Sequence, residues 1–166
     1  ALMNISRMEV SMIELHPAKV NLQELLVRAA NAVYDKVRVK GIYLEMEPFQ
    51  DIALMLDEKW TAEALMNILD NSIKYSSAGS RIEIKVEPLV SFIRVTIADE
   101  GIGIAREELP YIFQRFYRGS HPAVKAAEGA GVGLYLTRMI LERQGGGVSA
   151  KSRPGKGSVF AVQLFR

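Results

Sequence analysis

The 166-residue chain contains no cysteine, which excludes a disulfide framework and thiolate-ligated metal sites and suits a reducing compartment. No apolar run approaches the roughly 18 residues that a membrane-spanning helix needs, and no basic segment followed by an apolar one marks a signal peptide. Charges of the two signs nearly cancel, leaving a formal net charge of +2. The composition therefore gives no reason to expect nucleic acid as a partner.

What is present is an ordinary globular composition, with 49% apolar and 24% charged residues. The length corresponds to about one domain with a single core. Helical periodicity predicts three long helices, over residues 21–41, 57–75 and 134–144. Asn21 and Asp57 are the predicted N-caps of the first two.

Short or alternating apolar runs predict strands, at residues 42–46, 52–56, 82–86, 93–97, 148–153 and 158–165. A short helix is predicted over residues 107–113, and residues 114–130 lack periodicity and are predicted to form a loop. Helices and hairpins mixed in this order favour an α+β fold, with one mixed sheet and helices on one of its faces.

The second predicted helix carries a polar stripe, in which Asn67, Asn71 and Lys74 follow one another at i, i+4 and i+7. A solvated face is the commonest reason for such a stripe, but solvated faces usually mix glutamate with lysine, and asparagine is a mediocre helix former. An amide oxygen suits a Mg²⁺ ion that takes its other ligands from phosphates and water, and a lysine adds positive charge. The stripe therefore suggests a phosphate site without deciding it.

Two glycine-bearing segments point the same way. Asp99 ends a predicted strand and is followed by Gly101 and Gly103. A plain turn would look similar, but an aspartate at a strand end can accept a hydrogen bond from an exocyclic amine, with glycine backbone against a flat ring. Residues 129–134 open a helix, where free N–H groups favour anions. Neither a Rossmann fingerprint nor a P-loop fits, because no strand precedes this loop and no Gly-Lys-Ser or Gly-Lys-Thr occurs.

Five segments, taken in order, resemble the motifs of sensor histidine kinases. They are the N-box at residues 67–76, the first glycine box at 99–104, the F-box at 112–118, the second glycine box at 129–134 and the closing glycine motif at 155–160. Together they extend from about Asp57 to the last residue. The chain thus resembles the ATP-binding catalytic domain of that family.

The resemblance implies the Bergerat fold shared with type II topoisomerases and mismatch-repair ATPases. This fold is a two-layer α/β sandwich, with a mixed sheet of about five strands and three main helices on one face. The implied ligands are ATP and Mg²⁺, lying between the helical face and a mobile lid over residues 114–130. By analogy Asn71 binds Mg²⁺, Asn67 supports the phosphates or the metal, and Lys74 contacts a phosphate.

The remaining implied roles concern the base and the backbone of the glycine boxes. Tyr75 borders the nucleotide and Asp99 accepts the adenine amine. The glycine-box residues implied are Gly101 and Gly103 beside the base, and Gly129, Gly131, Gly133 and Leu134 beside the phosphates. Arg115 or Arg118 reaches the γ-phosphate or the partner domain, and the choice between the two stays open.

The resemblance also implies a division of the chain, with the end of a dimerisation helix and a hinge in residues 1–20 and the catalytic domain in residues 21–166. His16 and His121 both precede proline, which disfavours helix, so neither is expected to accept the phosphoryl group. The acceptor histidine is expected on a separate dimerisation domain. A response regulator and a second copy of the full-length protein are further implied partners, in a membrane-anchored protein whose cytoplasmic part includes this domain.

Two alternatives remain within the same fold, an ATP-hydrolysing relative and a purely nucleotide-binding regulatory module. Hydrolases of this fold place a glutamate one helical turn before the metal-binding asparagine, to activate water. That position holds Asn67 here, and Glu63 lies a further turn away. Gln144 stands where the family usually has histidine, and the sequence predicts no chemistry for it.

Overall fold

The computed structural model describes residues 13–118 and 133–166. This part of the chain contains the helices α1 (Leu22–Lys40), α2 (Glu58–Lys74) and α3 (Gly133–Arg143). Its strands are β1 (Ala18–Asn21), β2 (Tyr43–Met46), β3 (Ala53–Leu56), β4 (Arg81–Pro88), β5 (Phe92–Asp99), β6 (Gly147–Ser152) and β7 (Ser158–Phe165). No helix in the described ranges is long and apolar enough to cross a bilayer.

Five strands form one mixed sheet in the order β2-β4-β5-β7-β6, in which β2 and β4 are parallel and the other neighbours antiparallel. Alternate residues of the central strands, such as Ile93, Val95 and Ile97, are fully buried. They belong to the same core as Leu65 and Ile68 of α2. The predicted α+β fold, a mixed five-stranded sheet with three main helices, is confirmed.

The two ends of α2 are fixed by side chains. The predicted N-cap is confirmed, because Asp57 Oδ1 accepts a hydrogen bond from the backbone N–H of Trp60 at 2.9 Å. At the other end, Lys40 Nζ donates to the carbonyl oxygens of Ile73 at 2.6 Å and Lys74 at 2.7 Å. A cation at a helix C-terminus is favourable, so this contact steadies the turn that carries the last residue of the polar stripe.

The N-cap predicted for α1 is wrong in its side chain. Asn21 precedes the helix, but its side chain makes no capping bond. The carboxylate Oδ1 of Asp51 accepts from Gln23 N at 3.0 Å instead, and Leu22 N donates to the carbonyl of Ile52 at 2.9 Å. A loop distant in sequence therefore satisfies the N–H groups that the first turn leaves open.

The strand β1 begins within residues 1–20, the segment expected to hold a helix end and a hinge. Ala18–Asn21 pairs antiparallel with β3 in a separate two-stranded sheet, with Val20 opposite Leu54. The helix end expected before it lies almost wholly outside the described residues, which begin at Ile13.

The short helix predicted over residues 107–113 is wrong, since only a single 3₁₀ turn forms, at Leu109–Tyr111. Pro110 explains the difference. Proline has no backbone N–H to donate, and it also disfavours the α conformation in the residue before it, here Leu109.

Candidate functional site

Asn67, the first residue of the polar stripe of α2, lies against the first turn of α3. Asn67 and Asn71 are half-buried and Lys74 is exposed, whereas Leu65 and Ile68 face the core. Asn67 Nδ2 donates to the carbonyl oxygen of Gly133, the first residue of α3, at 3.3 Å. The N-box and the helix that follows the second glycine box therefore meet at Asn67.

Asp99, the last residue of β5, lies half-buried at the end of the sheet, and its Oδ1 atom accepts two backbone hydrogen bonds. The donors are Gly101 N at 2.9 Å and Ser158 N at 3.3 Å. The register that pairs Asp99 with Ser158 across β5 and β7 brings the second donor into place. With Oδ1 engaged twice, Oδ2 is the atom suited to accept a hydrogen bond from a ligand.

Burial raises the pKa of the Asp99 carboxyl above its ordinary value, and the N–H groups of Gly101 and Ser158 and the Ser72 hydroxyl offset part of that rise. The Ser72 hydroxyl is itself buried without a hydrogen bond of good geometry. A carboxyl group in such surroundings gains from an incoming N–H donor, because the donor replaces solvation that burial has removed.

Gly101 and Gly103 are required for different reasons. A Cβ atom at Gly101 would lie 2.6 Å from the Tyr75 carbonyl oxygen and 2.9 Å from Asp99 Oδ1, so any side chain would displace the carboxyl. Gly103 has a left-handed φ of +73°, and a Cβ there would lie 1.9 Å from the carbonyl oxygen of Arg153. Gly101 is thus at the site itself, while Gly103 seats the loop against the β6–β7 turn.

Tyr75, directly after α2, is affected by the charge of Arg118. Burial raises the pKa of the Tyr75 hydroxyl, and the charge of Arg118 offsets part of that rise. The Tyr75 carbonyl accepts a hydrogen bond from Ile102 N at 3.2 Å, joining the end of α2 to the first glycine box. Arg115 instead stacks on the ring of Phe116, with 4.6 Å between the guanidinium carbon and the ring centroid.

The F-box residues are tied to the sheet and to the preceding loop. Phe113 packs edge-on against Phe160 of β7, with the ring centroids 6.2 Å apart. The Tyr117 hydroxyl donates to Glu108 at 2.9 Å. These contacts fix the segment up to the point where the described residues stop, at Arg118.

Two residues of the second glycine box, Gly133 and Leu134, lie within the described part of the chain. Gly133 begins α3, and Leu134 is partly buried against the core. Gly129 and Gly131, together with His121 and the rest of the predicted lid beyond Arg118, lie outside the described residues. The phosphate loop therefore stays a prediction.

The surroundings of Asn71 fit a magnesium ion that takes most of its ligands from water and from substrate phosphates. Among residues 13–118 and 133–166, no group of three histidine, cysteine, aspartate or glutamate side chains could hold a metal. Mg²⁺ commonly keeps several waters and takes one or two protein oxygens plus substrate phosphates. A single half-buried amide oxygen is compatible with that arrangement, and Asn71 is the residue that would supply it.

The residue patterns in the sequence assign no structural or chemical role to two residues, Ser72 and Gln144. Ser72 lies on the apolar face of α2, and its hydroxyl offsets part of the rise in the pKa of Asp99 that burial causes. A buried serine among leucines is the signal in the sequence that could have found it. Gln144 links α3 to the start of α2, since its Oε1 accepts from Asp57 N at 2.7 Å and its Nε2 donates to Thr61 Oγ1 at 3.0 Å. Its signal in the sequence is a departure from the family pattern.

Comparison with known proteins agrees with this geometry. Residues 56–166 match the model of the family described as histidine kinase-, DNA gyrase B- and HSP90-like ATPase. Curated relatives include the sensor protein SrrB of Staphylococcus aureus, 28% identical over 171 residues, a match that covers 98% of this chain and 28% of SrrB. The chain therefore spans just over a quarter of the length of these relatives.

Solved structures with the same fold include a mycobacterial sensor histidine kinase, MprB, at a TM-score of 0.77 and 22% identity over 90% of this chain and 97% of that one. Full-length ShkA in complex with AMPPNP has a TM-score of 0.82 and 25% identity over 99% of this chain and 34% of ShkA. ThkA in complex with the response regulator TrrA has a TM-score of 0.81 and 23% identity, over 99% and 46% of the two chains.

Proposed function

Because the chain belongs to the histidine kinase-, DNA gyrase B- and HSP90-like ATPase family, we propose that it is the ATP-binding catalytic domain of a two-component sensor histidine kinase. Its activity is the transfer of the ATP γ-phosphoryl group to a histidine on a dimerisation domain. The observation that carries the proposal is the Asp99 carboxyl, held through Oδ1 by Gly101 and Ser158, at the start of a loop that bonds to the C-terminal end of α2 through Ile102 N and the Tyr75 carbonyl.

The base is recognised by Asp99. Its Oδ2 atom accepts a hydrogen bond from the exocyclic amine of adenine, which guanine lacks at that position. Gly101 leaves room for the base because it has no side chain, and Gly103 holds the loop beneath it. Tyr75 borders the nucleotide from the end of α2.

The phosphates and Mg²⁺ are held along the stripe. Asn71 supplies an amide oxygen to the ion, Asn67 supports the phosphates or the ion, and Lys74 contacts a phosphate. Bound Mg²⁺ would neutralise charge on the β- and γ-phosphates. The backbone of the second glycine box completes the cradle through Gly129, Gly131, Gly133 and Leu134.

Of the two arginines, Arg118 is the better candidate for the γ-phosphate or the partner domain. Its charge acts on Tyr75, which borders the proposed nucleotide site, whereas the Arg115 guanidinium stacks on Phe116. We therefore expect phosphoryl transfer to be more sensitive to removal of the Arg118 charge than of the Arg115 charge.

ATP hydrolysis is less well supported than transfer to histidine. The position one turn before Asn71 is Asn67, an amide that already donates to Gly133 and cannot act as a general base. Glu63 is a further turn away. A regulatory module without transfer activity would still need the adenine carboxyl and the stripe, so binding alone does not separate it from a kinase domain.

The longer protein is proposed to be a membrane-anchored homodimer with this domain in the cytoplasm. Its partners are its own dimerisation domain, joined through residues 1–20, and a response regulator. SrrB is named a sensor protein and is several times longer than this chain, and ThkA was solved in complex with a response regulator. These likenesses support the assignment.

Calorimetric titration with ATP and GTP, each in excess Mg²⁺, tests the binding half of the proposal. ATP should bind at least about tenfold more tightly, because a buried acceptor built for an amine discriminates strongly against a ligand that lacks it. Equal affinities for the two nucleotides would contradict the role of Asp99, and no binding of either would contradict the function.

A further inference from the structure

Helix α2 is joined to α3, and to Gln144 directly after it, by three side-chain hydrogen bonds, which we call the α2–α3 ladder. The bonds are Asn67 Nδ2 to Gly133 O at 3.3 Å, Thr137 Oγ1 to Ala64 O at 3.1 Å, and Gln144 Nε2 to Thr61 Oγ1 at 3.0 Å. The residue pairs show that the helices run antiparallel. We call the end at Asn67 the upper end of the ladder and the end at Gln144 the lower end. The upper end lies in the proposed nucleotide site.

The lower end of the ladder is connected to the segment before β1 through Asp57. Gln144 Oε1 accepts from Asp57 N at 2.7 Å, and Asp57 Oδ2 accepts from His16 N at 2.8 Å. Asp57 is 5% exposed and also caps α2 through Trp60 N. Three backbone N–H groups thus converge on two side chains, and residue 16 is connected through them to α3.

We propose that Gln144 is a positioning residue that couples nucleotide occupancy at the upper end of the ladder to the hydrogen bond of His16 at the lower end. The inference rests on the proposed function, since ATP is the ligand at the upper end. As a consequence, ATP binding strengthens the hydrogen bond between His16 N and Asp57, in the segment before β1. By linkage, that hydrogen bond strengthens ATP binding by the same factor.

The physical basis is the stiffness of the two helices and the cost of breaking the ladder. The 11 residues of α3 span about 16 Å, and a packed helix of this length moves as a unit. Thr137 is fully buried, so a relative slip of the helices would leave a buried hydroxyl without an acceptor. A displacement imposed at Gly133 is therefore transmitted to Gln144.

Glutamine suits the lower end because one amide group accepts and donates at once. Its oxygen takes the Asp57 N–H while its nitrogen reaches Thr61. Methionine has a similar length but offers neither a comparable acceptor nor a donor, so Gln144→Met removes both bonds while keeping the volume. Neither Gln144 nor Asp57 belongs to the proposed nucleotide-binding residues.

The test is the exchange rate of the His16 backbone amide, measured by NMR with and without saturating ATP and Mg²⁺. In the unmodified chain ATP should slow this exchange at least about fivefold, the lower end of typical coupling factors. Gln144→Met should still bind ATP, shown by protection of the Gly101 amide. In this variant, however, adding ATP should change exchange at His16 less than about twofold, below that coupling range.

Lys36→Met is the matched control, because it removes the 2.8 Å pair with Asp70 outside the ladder. It should keep the full ATP effect.

Asp57→Asn provides an independent variant. Asparagine caps helices as well as aspartate, but only one of its two terminal atoms is an acceptor, whereas Trp60 N and His16 N bond to different oxygens of Asp57. Exchange at His16 should then be fast with or without ATP, and ATP affinity should fall by the factor measured for the coupling.

Two results would overturn the coupling while leaving the proposed function intact. One is an unchanged His16 exchange rate in the unmodified chain although ATP protects Gly101, and the other is a full ATP effect in Gln144→Met. Absence of ATP protection at every amide would instead overturn the proposed function, and the coupling with it.

Discussion

Replacing Asp99 by asparagine should lower ATP affinity by about 10- to 100-fold and remove the preference for ATP over GTP. A hydrogen bond to a charged acceptor contributes about 1.5–3 kcal/mol, and the asparagine amide can present a donor where the adenine amine needs an acceptor. The two backbone bonds to Oδ1 can be retained by the asparagine oxygen, so the loop keeps its shape. Calorimetric titration of both nucleotides measures the effect, and an unchanged ratio of affinities would exclude Asp99 as the base acceptor.

The same variant should be at least as stable as the unmodified chain near pH 7. Burial is the main cause of the raised pKa of Asp99, so the folded state binds the proton more tightly than the unfolded state. The ionised carboxylate therefore lowers the free energy of unfolding at pH values above the folded-state pKa, and this loss is relieved as the pH falls through that pKa. Thermal unfolding of Asp99→Asn at neutral pH separates lost recognition from lost structure.

Asn71→Ala should abolish the part of ATP affinity that depends on magnesium. The variant in Mg²⁺ is expected to bind ATP no better than the unmodified chain does in EDTA, because the protein oxygen proposed for the ion is gone. Alanine is the better helix former and Asn71 is only half-buried, so the melting temperature should not fall. The control is Asp70→Ala, the adjacent residue, which pairs with Lys36. Magnesium dependence that survives in Asn71→Ala and is lost in Asp70→Ala would contradict the assignment.

Local features of the fold were predictable from the sequence, and features with distant partners were not. The cap at Asp57 and the end of α1 at Gly41 are encoded within a few residues, and both are confirmed. The cap of α1 comes from Asp51, 28 residues from Gln23, and the bond between Asp57 and Gln144 spans 87 residues. Periodicity and capping rules depend only on residues within one segment, so they do not predict hydrogen bonds between residues that are far apart in the sequence.

The candidate site also combines features that residue patterns predict with features that depend on distant partners. The polar stripe and the glycine boxes were visible as residue patterns, and the fold brings Asp99, Gly101 and Tyr75 together. The Ser158 donor depends on the register between β5 and β7, which no single strand specifies. The proposal of Arg118 over Arg115 rests on side-chain interactions that a residue pattern does not specify. These are the stacking of Arg115 on Phe116 and the effect of the Arg118 charge on the Tyr75 hydroxyl.

The central claim is that this chain binds the phosphoryl donor, ATP, and that the acceptor histidine lies on a separate domain. Incubation with γ-labelled ATP and Mg²⁺ tests it, first with this chain alone and then after adding a separately made dimerisation domain of the longer protein. Transfer needs donor and acceptor within about 3–3.5 Å. The prediction is no label on this chain, negligible phosphate release, and acid-labile, alkali-stable label on the added domain. Acid-labile, alkali-stable label on this chain alone would contradict the account.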